Sequence, residues 1–159
     1  MNNFEFEHNG QKLWYSRSLA VSALVHFIKN GEIYFLANKR GSGAEFNQHL
    51  WNLPGGFVDF NETAEQAACR ETLEETGYII YPEQCSLVDL DTNPKNSWRQ
   101  TMVAKFNISL EEKPKFFENF RIENTNGEDT RLRSFIKYIK TGEASDEYTK
   151  KVDAAVISS

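Results

Sequence analysis

The stretch that decides the fold is GGFVDFNETAEQAACRETLEETG, residues 55–77. After the opening glycines, small and apolar residues recur at helical spacing, which predicts a helix of about 14 residues starting near Asn61 or Thr63. Thr63 and Gln66 have capping-box spacing, and Gly77 occupies the position where helices often end in a left-handed residue. The predicted sheet-facing stripe comprises Ala64, Ala68, Cys69, Thr72 and Leu73.

Three glutamates crowd one side of this predicted helix. At about 100° per residue, Glu74 and Glu75 lie within roughly 60° and 40° of Glu71. Their repulsion costs an isolated helix a few tenths of a kcal/mol, and only Arg70 offers local compensation. A solvated acidic face is the ordinary explanation of such a run. The alternative is a divalent cation, because Mg2+ is typically held by one or two carboxylates together with substrate phosphates.

The rest of the chain predicts mainly strands. Asn9-Gly10 and Asn30-Gly31 have the chemistry of tight hairpin turns between alternating stretches. Extended segments are predicted at residues 19–27, 32–39, 50–60, 86–91 and 99–110, with a loop at residues 41–49. Beyond Pro114 the pattern is weaker: residues 116–122 fit a strand or short helix, while residues 132–140 and 147–157 predict helices. The fold class predicted is α+β.

Composition narrows the classes of function. The 159 residues are about one domain, 40% of them are hydrophobic, and the net charge of -5 argues against nucleic acid or an acidic membrane as the main partner. No apolar run reaches the roughly 20 residues of a membrane span, and the first residues lack a secretory pattern, so a cytoplasmic location is predicted. Cys69 and Cys85 lack metal-site spacing and are interpreted as small buried hydrophobic residues.

The glutamates belong to a longer pattern. The pattern consists of Gly56, Glu62 and the run RETLEETGY at residues 70–78, with five residues in the first gap and seven in the second. It resembles the Nudix box. The resemblance implies a single domain over residues 1–159, with a mixed sheet between helices in an α/β/α arrangement and the box at residues 56–78. Two positions that are usually aliphatic are Thr72 and Tyr78 here. The Thr72 hydroxyl is expected to bond back to the carbonyl of Ala68.

The resemblance also implies an activity, namely hydrolysis of the pyrophosphate link in a nucleoside diphosphate joined to another group. By similarity, Glu71 and Glu75 would bind Mg2+, or Mn2+, with the carbonyl of Gly56. Glu74 would bind metal or orient the attacking water, and Arg70 would hold Glu74. Glu62 lies at or before the first helical turn, roughly opposite the glutamate face, and is assigned to capping and loop support, as Gly77 is to ending the helix.

Substrate contacts are less sharply indicated. Pro94 is the sixteenth residue after Tyr78, a spacing that resembles ADP-ribose pyrophosphatases, although a turn favours proline equally. Arg99 and Arg40 could each contact a phosphate or carry a solvated charge. An acid in the tail, such as Glu123 or Glu128, is left open as a general base.

ADP-ribose or a nucleotide sugar is the leading substrate and an oxidised nucleoside triphosphate the alternative. A rival of another class is a non-catalytic module that senses a nucleotide for an attached DNA-binding element. The expected partner is a small nucleotide, with no membrane partner. Members of the family often pair, so a homodimer is left open.

Overall fold

The described part of the chain forms one large mixed sheet, a separate hairpin and a helix that carries the glutamates. The computed structural model describes residues 1–39, 51–111, 120–123 and 130–137. The strands are β1 (Phe4–His8), β2 (Gln11–Tyr15), β3 (Leu19–Lys29), β4 (Glu32–Lys39), β5 (Trp51–Asn52), β6 (Gly55–Phe57), β7 (Ser86–Asp91), β8 (Met102–Ser109), β9 (Phe120–Glu123) and β10 (Thr130–Lys137). Helix α1 spans Ala64–Thr76, and short 3-10 turns occupy Pro82–Gln84 and Trp98–Gln100.

Both predicted hairpins are confirmed. Asn9 and Gly10 connect β1 to β2 with φ of 51° and 76°, and Asn30 and Gly31 connect β3 to β4 with φ of 53° and 76°. Positive φ at both central residues is the signature of the type I′ turn, whose twist matches that of the flanking strands. Asn and Gly adopt this conformation at low cost, which is why the sequence signal was sufficient.

The large sheet is organised around β3. Its order is β7-β8-β3-β4-β10-β9, and β3 runs parallel to β8 but antiparallel to β4. The first residues of β3 pair with β6, while its last residues pair with β4. The predicted mixed sheet is therefore confirmed. One α-helix lies within the described residues; the predicted loop at residues 41–49 and the predicted helix at residues 147–157 lie outside them.

Strand β10 corrects one prediction, because residues 132–140 had been expected to form a helix and residues 130–137 form a strand. The side chains of Phe135 and Ile136 belong to clusters on opposite faces of the sheet, so neighbouring positions are both apolar. A strand covered on both faces lacks the alternation by which strands are recognised in sequence. The open prediction for residues 116–122 resolves in part, since β9 covers residues 120–122.

The core lies on both faces of the sheet. The alternating side chains of β3, namely Val21, Ala23, Val25 and Phe27, face α1 and pack with Ala67 and Ala68 of the helix. The opposite face carries a smaller cluster of Leu24, Phe35, Ala37 and Leu53. Cys69 and Cys85 are free thiols, half-buried and packed against the cluster on the α1 side. The glutamate helix is thus fixed directly on the central strand.

Helix α1 begins and ends as predicted. Thr63 accepts the backbone N–H of Gln66, the Gln66 side chain accepts that of Thr63, and Gly77 ends the helix with φ of 70°. The predicted stripe needs correction, because Leu73 is 48% exposed and the buried positions are Ala67, Ala68, Thr72 and Thr76. Two of these four buried positions are threonines, and Thr72 stands where an aliphatic residue is usual.

The expected bond from Thr72 to the carbonyl of Ala68 is absent, because the buried Thr72 hydroxyl has no hydrogen-bond partner. Thr76 makes a bond of that kind one turn later, donating to the carbonyl of Thr72 at 2.6 Å. It also accepts the N–H of Tyr78 at 3.1 Å. Two buried threonines one turn apart are therefore opposite in their hydrogen-bonding state.

This contrast predicts opposite effects for two matched substitutions. Thr72→Val removes an unpaired buried hydroxyl at nearly constant shape and is expected to raise the free energy of unfolding by about 1 kcal/mol. Thr76→Val removes a paired hydroxyl and strands the N–H of Tyr78, so it should lower that free energy by about 1–2 kcal/mol. Urea denaturation of both variants measures the difference. Equal shifts would show that the two hydroxyls are in equivalent environments.

Candidate active site

Gly55 and Gly56, which precede the helix, allow the backbone to lie close to the side chains of Glu71 and Glu75. A side chain at Gly56 would occupy the position of the Glu71 carboxylate, whose Oε2 lies 2.8 Å from where a Cβ would stand. A side chain at Gly55 would instead collide with the backbone carbonyl of Val21. The Gly55 N–H points to Oε2 of Glu75 at 3.4 Å. Each glycine is therefore required by a close approach, one to a carboxylate and one to strand β3.

Arg70 joins the loop after β6 to the helix. Its Nε and Nη2 form a two-point bond with Glu62, at 3.1 and 2.7 Å. Its Nη1 donates to Glu71 at 2.8 Å and to Glu74 at 3.3 Å. Nη2 also donates to the carbonyl of Phe57 at 3.0 Å. One guanidinium therefore hydrogen-bonds three carboxylates and the last carbonyl of β6, and it lies 3.5 Å from a fourth carboxylate, that of Asp59. A lysine cannot supply this geometry.

Glu62 corrects its expected position. The sequence argument placed it roughly opposite the glutamate face, but it shares the guanidinium of Arg70 with Glu71. The helical angle did not apply, because Glu62 precedes the cap and lies in the loop. Its Oε1 also accepts the N–H of Asp59 at 2.7 Å. The carboxylate thus ties the loop to the helix.

The carboxylates differ in their electrostatic environment. The two-point bond from Arg70 holds the pKa of Glu62 below its ordinary value. Burial raises the pKa of Glu71, and this outweighs the bond from Arg70; the charges of Glu74 and Asp59 act in the same direction as burial. The pKa of Arg70 is raised, chiefly by its bond to Glu62, so the guanidinium stays protonated. At Glu71, negative charge is therefore incompletely compensated.

The three glutamates of the box, Glu71, Glu74 and Glu75, differ in how far their side chains are exposed to solvent. The side chain of Glu71 is 14% exposed, whereas that of Glu74 is 59% exposed. Glu75 is half-buried beside Gly55. The acidic face is thus not uniformly solvated: one carboxylate is enclosed, one lies against backbone and one extends into solvent.

The donor set fits a hard divalent cation that brings other ligands with it. Within residues 1–39, 51–111, 120–123 and 130–137, no group of three or more His, Cys, Asp or Glu side chains is arranged to hold a metal ion. Mg2+ does not need such a group, because it keeps several waters and uses one or two carboxylates with substrate phosphates. Glu71 and Glu75, on adjacent turns beside the glycine pair, are suitably placed carboxylates.

The proposed substrate contacts lie elsewhere on the surface or outside the described residues. Pro94 is exposed and occupies the second position of a turn closed by the N–H of Asn96 and the carbonyl of Asn93, at 3.1 Å. The Arg99 guanidinium lies over the ring of Trp98, 3.9 Å from its centroid. Arg40 is not among the described residues, and neither is Glu128. The structure thus does not bring Pro94 or Arg99 into bonding contact with the glutamates.

Arg17 is a loop anchor that the sequence did not reveal. Its Nε donates to the carbonyl of Gln100 at 2.7 Å and its Nη1 to that of Thr92 at 2.8 Å. Between these points Arg99 and Gln100 are both left-handed, with φ of 53° and 59°. The strand predicted from residue 99 therefore begins only at Met102. No local pattern distinguishes an arginine that binds carbonyls 75 and 83 residues away.

Comparisons with known proteins show which proteins the chain resembles. A family model for the NUDIX domain matches residues 17–146. A Bacillus subtilis (strain 168) protein named "Putative 8-oxo-dGTP diphosphatase" is 72% identical over 29 residues, which are 18% of this chain and 20% of that protein. An "RNA pyrophosphohydrolase" of Shewanella sp. (strain MR-7) is 36% identical over 69 residues, 43% of this chain and 36% of that protein. The chain thus matches well under two thirds of the length of either relative.

Solved structures extend the likeness over nearly the whole chain. The NUDIX domain of Shewanella oneidensis NrtR, in a cocrystal structure with ADP ribose, superposes with a TM-score of 0.69 at 16% identity. The match covers 90% of this chain and 88% of that one. At this identity the likeness shows a shared fold. No helix among the described residues is long and apolar enough to span a membrane.

The ion pairing of Glu62 predicts a pH-dependent contribution to stability. Its pKa is lowered in the folded state, so its contribution is complete above the ordinary value of 4.5 and is lost as pH falls through the lowered pKa. Glu62→Gln should therefore lower the free energy of unfolding at pH 7, with the difference from wild type shrinking below pH 4.5. Urea denaturation at several pH values measures both effects.

Glu74→Gln is the matched control for this prediction, because Glu74 also contacts Arg70 but its side chain is 59% exposed against 15% for Glu62. An exposed ion pair contributes little to stability. A loss at Glu74 equal to that at Glu62 would contradict the assignment of Glu62 as the connection between loop and helix.

Proposed function

The chain belongs to the NUDIX family, and from that premise we propose that it hydrolyses a phosphoric anhydride bond of a nucleotide with the help of a divalent cation. The observation that carries the proposal is the enclosure of the Glu71 carboxylate against Gly56, where a side chain would fill the space. The carboxylate in that space carries a negative charge that Arg70 offsets only in part. A bound cation would compensate the remainder.

The roles of the residues follow from their positions. Glu71 and Glu75 would hold Mg2+, or Mn2+, together with the carbonyl of Gly56, because both carboxylates adjoin the glycine pair. Glu74, the most exposed of the three, would bind a further metal or orient the attacking water. Arg70 would fix the orientation of Glu71 and Glu74 through its bonds at 2.8 and 3.3 Å. When bound, the metal would offset phosphate charge and lower the pKa of its water.

ADP-ribose or a nucleotide sugar is the proposed substrate, and the spacing of Pro94 from the box supports it. The proposed location of the protein is the cytoplasm. Addition of water across the pyrophosphate of ADP-ribose would give AMP and ribose phosphate, and a nucleotide sugar would give its own nucleoside monophosphate and a sugar phosphate. An oxidised nucleoside triphosphate is the second candidate, and it is supported by the local identity of 72% to the Bacillus subtilis protein named as an 8-oxo-dGTP diphosphatase. The match to a protein named as an RNA pyrophosphohydrolase supports cleavage of a phosphoric anhydride bond without deciding between the two candidates.

The sensor alternative is disfavoured by two observations. A module without catalysis has no need of the box carboxylates, yet Glu71, Glu74 and Glu75 are all present. A DNA-binding element would need a basic recognition helix, and the mildly basic stretch at residues 130–140 forms the sheet strand β10 over residues 130–137. Hydrolysis therefore explains more of the site than sensing does.

The enzyme assignment predicts a loss of turnover without a loss of fold. Glu75→Gln keeps the size of the side chain but removes a charged metal ligand, so kcat/KM should fall at least about a hundredfold. AMP release from ADP-ribose in the presence of Mg2+ measures the change. Glu65→Gln, a like substitution in the first turn of the same helix, should leave the rate unchanged.

The same assay with nucleotide sugars, dinucleoside polyphosphates and 8-oxo-dGTP ranks the candidates by kcat/KM. Equal rates for wild type and Glu75→Gln on the preferred nucleotide would rule out the role of Glu75. Turnover of none of these nucleotides, with intact fold and metal present, would contradict the proposed hydrolysis.

Substitutions at the two glycines should separate function from folding. Gly56→Ala directs a methyl at the Glu71 carboxylate, a movable group, so activity should fall at least tenfold while stability changes little. Gly55→Ala directs it at the carbonyl of Val21, which β3 holds in place, so the free energy of unfolding should fall by about 2 kcal/mol or more. Full activity of Gly56→Ala would show that the position of Glu71 does not matter.

A further inference from the structure

Two loops leave the large sheet at the same end of β3. Strand β6 pairs with the first residues of β3, ends at Phe57 and leads into the loop that carries Glu62. Strand β8 begins at Met102, opposite Leu19, and follows the loop at residues 92–101. Since β6 and β8 flank β3 and neighbouring strands lie about 4.8 Å apart, the two loops leave the sheet about 10 Å from each other. The 92–101 loop therefore adjoins the loop that carries the site.

The chain that enters β3 bonds to both loops. The carbonyl of Ser18 accepts the N–H of Met102, and the carbonyl of Leu19 accepts the N–H of Val58, each at 2.9 Å. Val58 is the first residue after β6, and Met102 is the first residue after the 92–101 loop. Two successive residues thus fix one loop on each side of β3, so the position of one loop depends on that of the other.

Arg17 holds both ends of the 92–101 loop. Its guanidinium donates to the carbonyl of Thr92 at 2.8 Å and to that of Gln100 at 2.7 Å. Arg99 and Gln100 have positive φ, of 53° and 59°, which is unfavourable for residues other than glycine. Such conformations persist only where surrounding contacts hold them. The two bonds from Arg17 are contacts of this kind, and they fix the shape of the loop.

The 92–101 loop carries an aromatic ring and positive charge. Trp98 is 50% exposed, and the guanidinium of Arg99 lies 3.9 Å from the centroid of its ring. Lys95 and Arg99 are the charged residues of the loop in the sequence, and both are positive. Nucleobases stack on aromatic rings and on guanidinium planes, and phosphates favour positive charge. The loop therefore suits a ligand that has a planar base and a phosphate group.

We propose that Arg17 is a positioning residue of the site, which holds the 92–101 loop so that Trp98 and Arg99 receive the base of a nucleotide substrate. The inference rests on the proposed function, because the phosphates of the nucleotide then lie at the box, beside the neighbouring loop. Arg17 does not itself contact the substrate. It acts by keeping the ring of Trp98 at the end of β3 where the site loop also lies.

A double-mutant cycle tests whether Arg17 acts through Trp98. Arg17→Lys keeps the positive charge but cannot bind two carbonyls as a planar fork does, and Trp98→Ala removes the ring while leaving Arg17 in place. The dissociation constants of AMP and 8-oxo-dGMP are measured by isothermal titration calorimetry with Mg2+ present. Neither nucleotide has an anhydride bond to cleave. Each single variant should bind the nucleotide that the wild type prefers at least about fivefold more weakly, as the loss of a stacked base implies.

The double variant separates positioning from an independent contribution to stability. If Arg17 acts through Trp98, the double variant should bind no more than about twofold more weakly than Trp98→Ala alone. Independent effects would multiply to about 25-fold or more. Such multiplication would overturn the proposal, as would wild-type affinity in either single variant. A wild type that binds neither nucleotide would overturn it as well.

Tyr81→Ala is the matched control, because Tyr81 is also an aromatic residue that is largely exposed, at 60%, but it precedes β7, whose far end leads into the 92–101 loop. It should leave the dissociation constants unchanged. In hydrolysis of the preferred substrate, Arg17→Lys should raise KM by at least about fivefold and change kcat by less than about threefold. A fall in kcat with KM unchanged would contradict the positioning role. Binding of the monophosphates without hydrolysis of any nucleotide would contradict the proposed function and support this inference.

Discussion

The site depends on one guanidinium that several carboxylates share. Arg70 bonds Glu62 in the loop and Glu71 on the helix, and it also reaches the carbonyl of Phe57. Without a cation at this point, the acidic helix and the loop that follows β6 would repel each other. Burial raises the pKa of Glu71, and the bond from Arg70, a guanidinium that Glu71 shares with Glu62, offsets this rise only in part. The same residue thus stabilises the arrangement and leaves room for a second cation.

Local signals were enough to predict the elements that carry the site. The Asn-Gly turns, the cap at Thr63 and the stop at Gly77 each work through the conformations of one or two residues, so neighbouring sequence determines them. The failures have a different origin. Strand β10 was mistaken for a helix because contacts on both faces of the sheet, not alternation along the chain, determine where its apolar residues stand.

The sequence indicated which residues belong to the site, but not all of the contacts that position them. Family resemblance pointed to the box carboxylates, and Glu71 lies beside Gly56 in the structure. That the two share a cation stays a prediction. The predicted position of Glu62, opposite the glutamate face, was wrong because a helical angle was applied to a residue outside the helix. The anchoring of the loop by Arg17 depends on carbonyls distant in sequence, and no periodicity encodes such a contact.

The placement of the glutamates along α1 is itself an argument for a bound cation. The end of a helix carries partial negative charge, so acidic residues are disfavoured there and basic ones are favoured. Glu74 and Glu75 nevertheless lie in the last turn of α1, which contains no basic residue. Selection for stability alone would have placed these charges in the first turn, where the helix has only Glu65. A divalent cation beside Glu71 and Glu75 would offset both the helix dipole and the repulsion between the carboxylates. The glutamate cluster that weakens the isolated helix would therefore become favourable once metal and substrate phosphates are present.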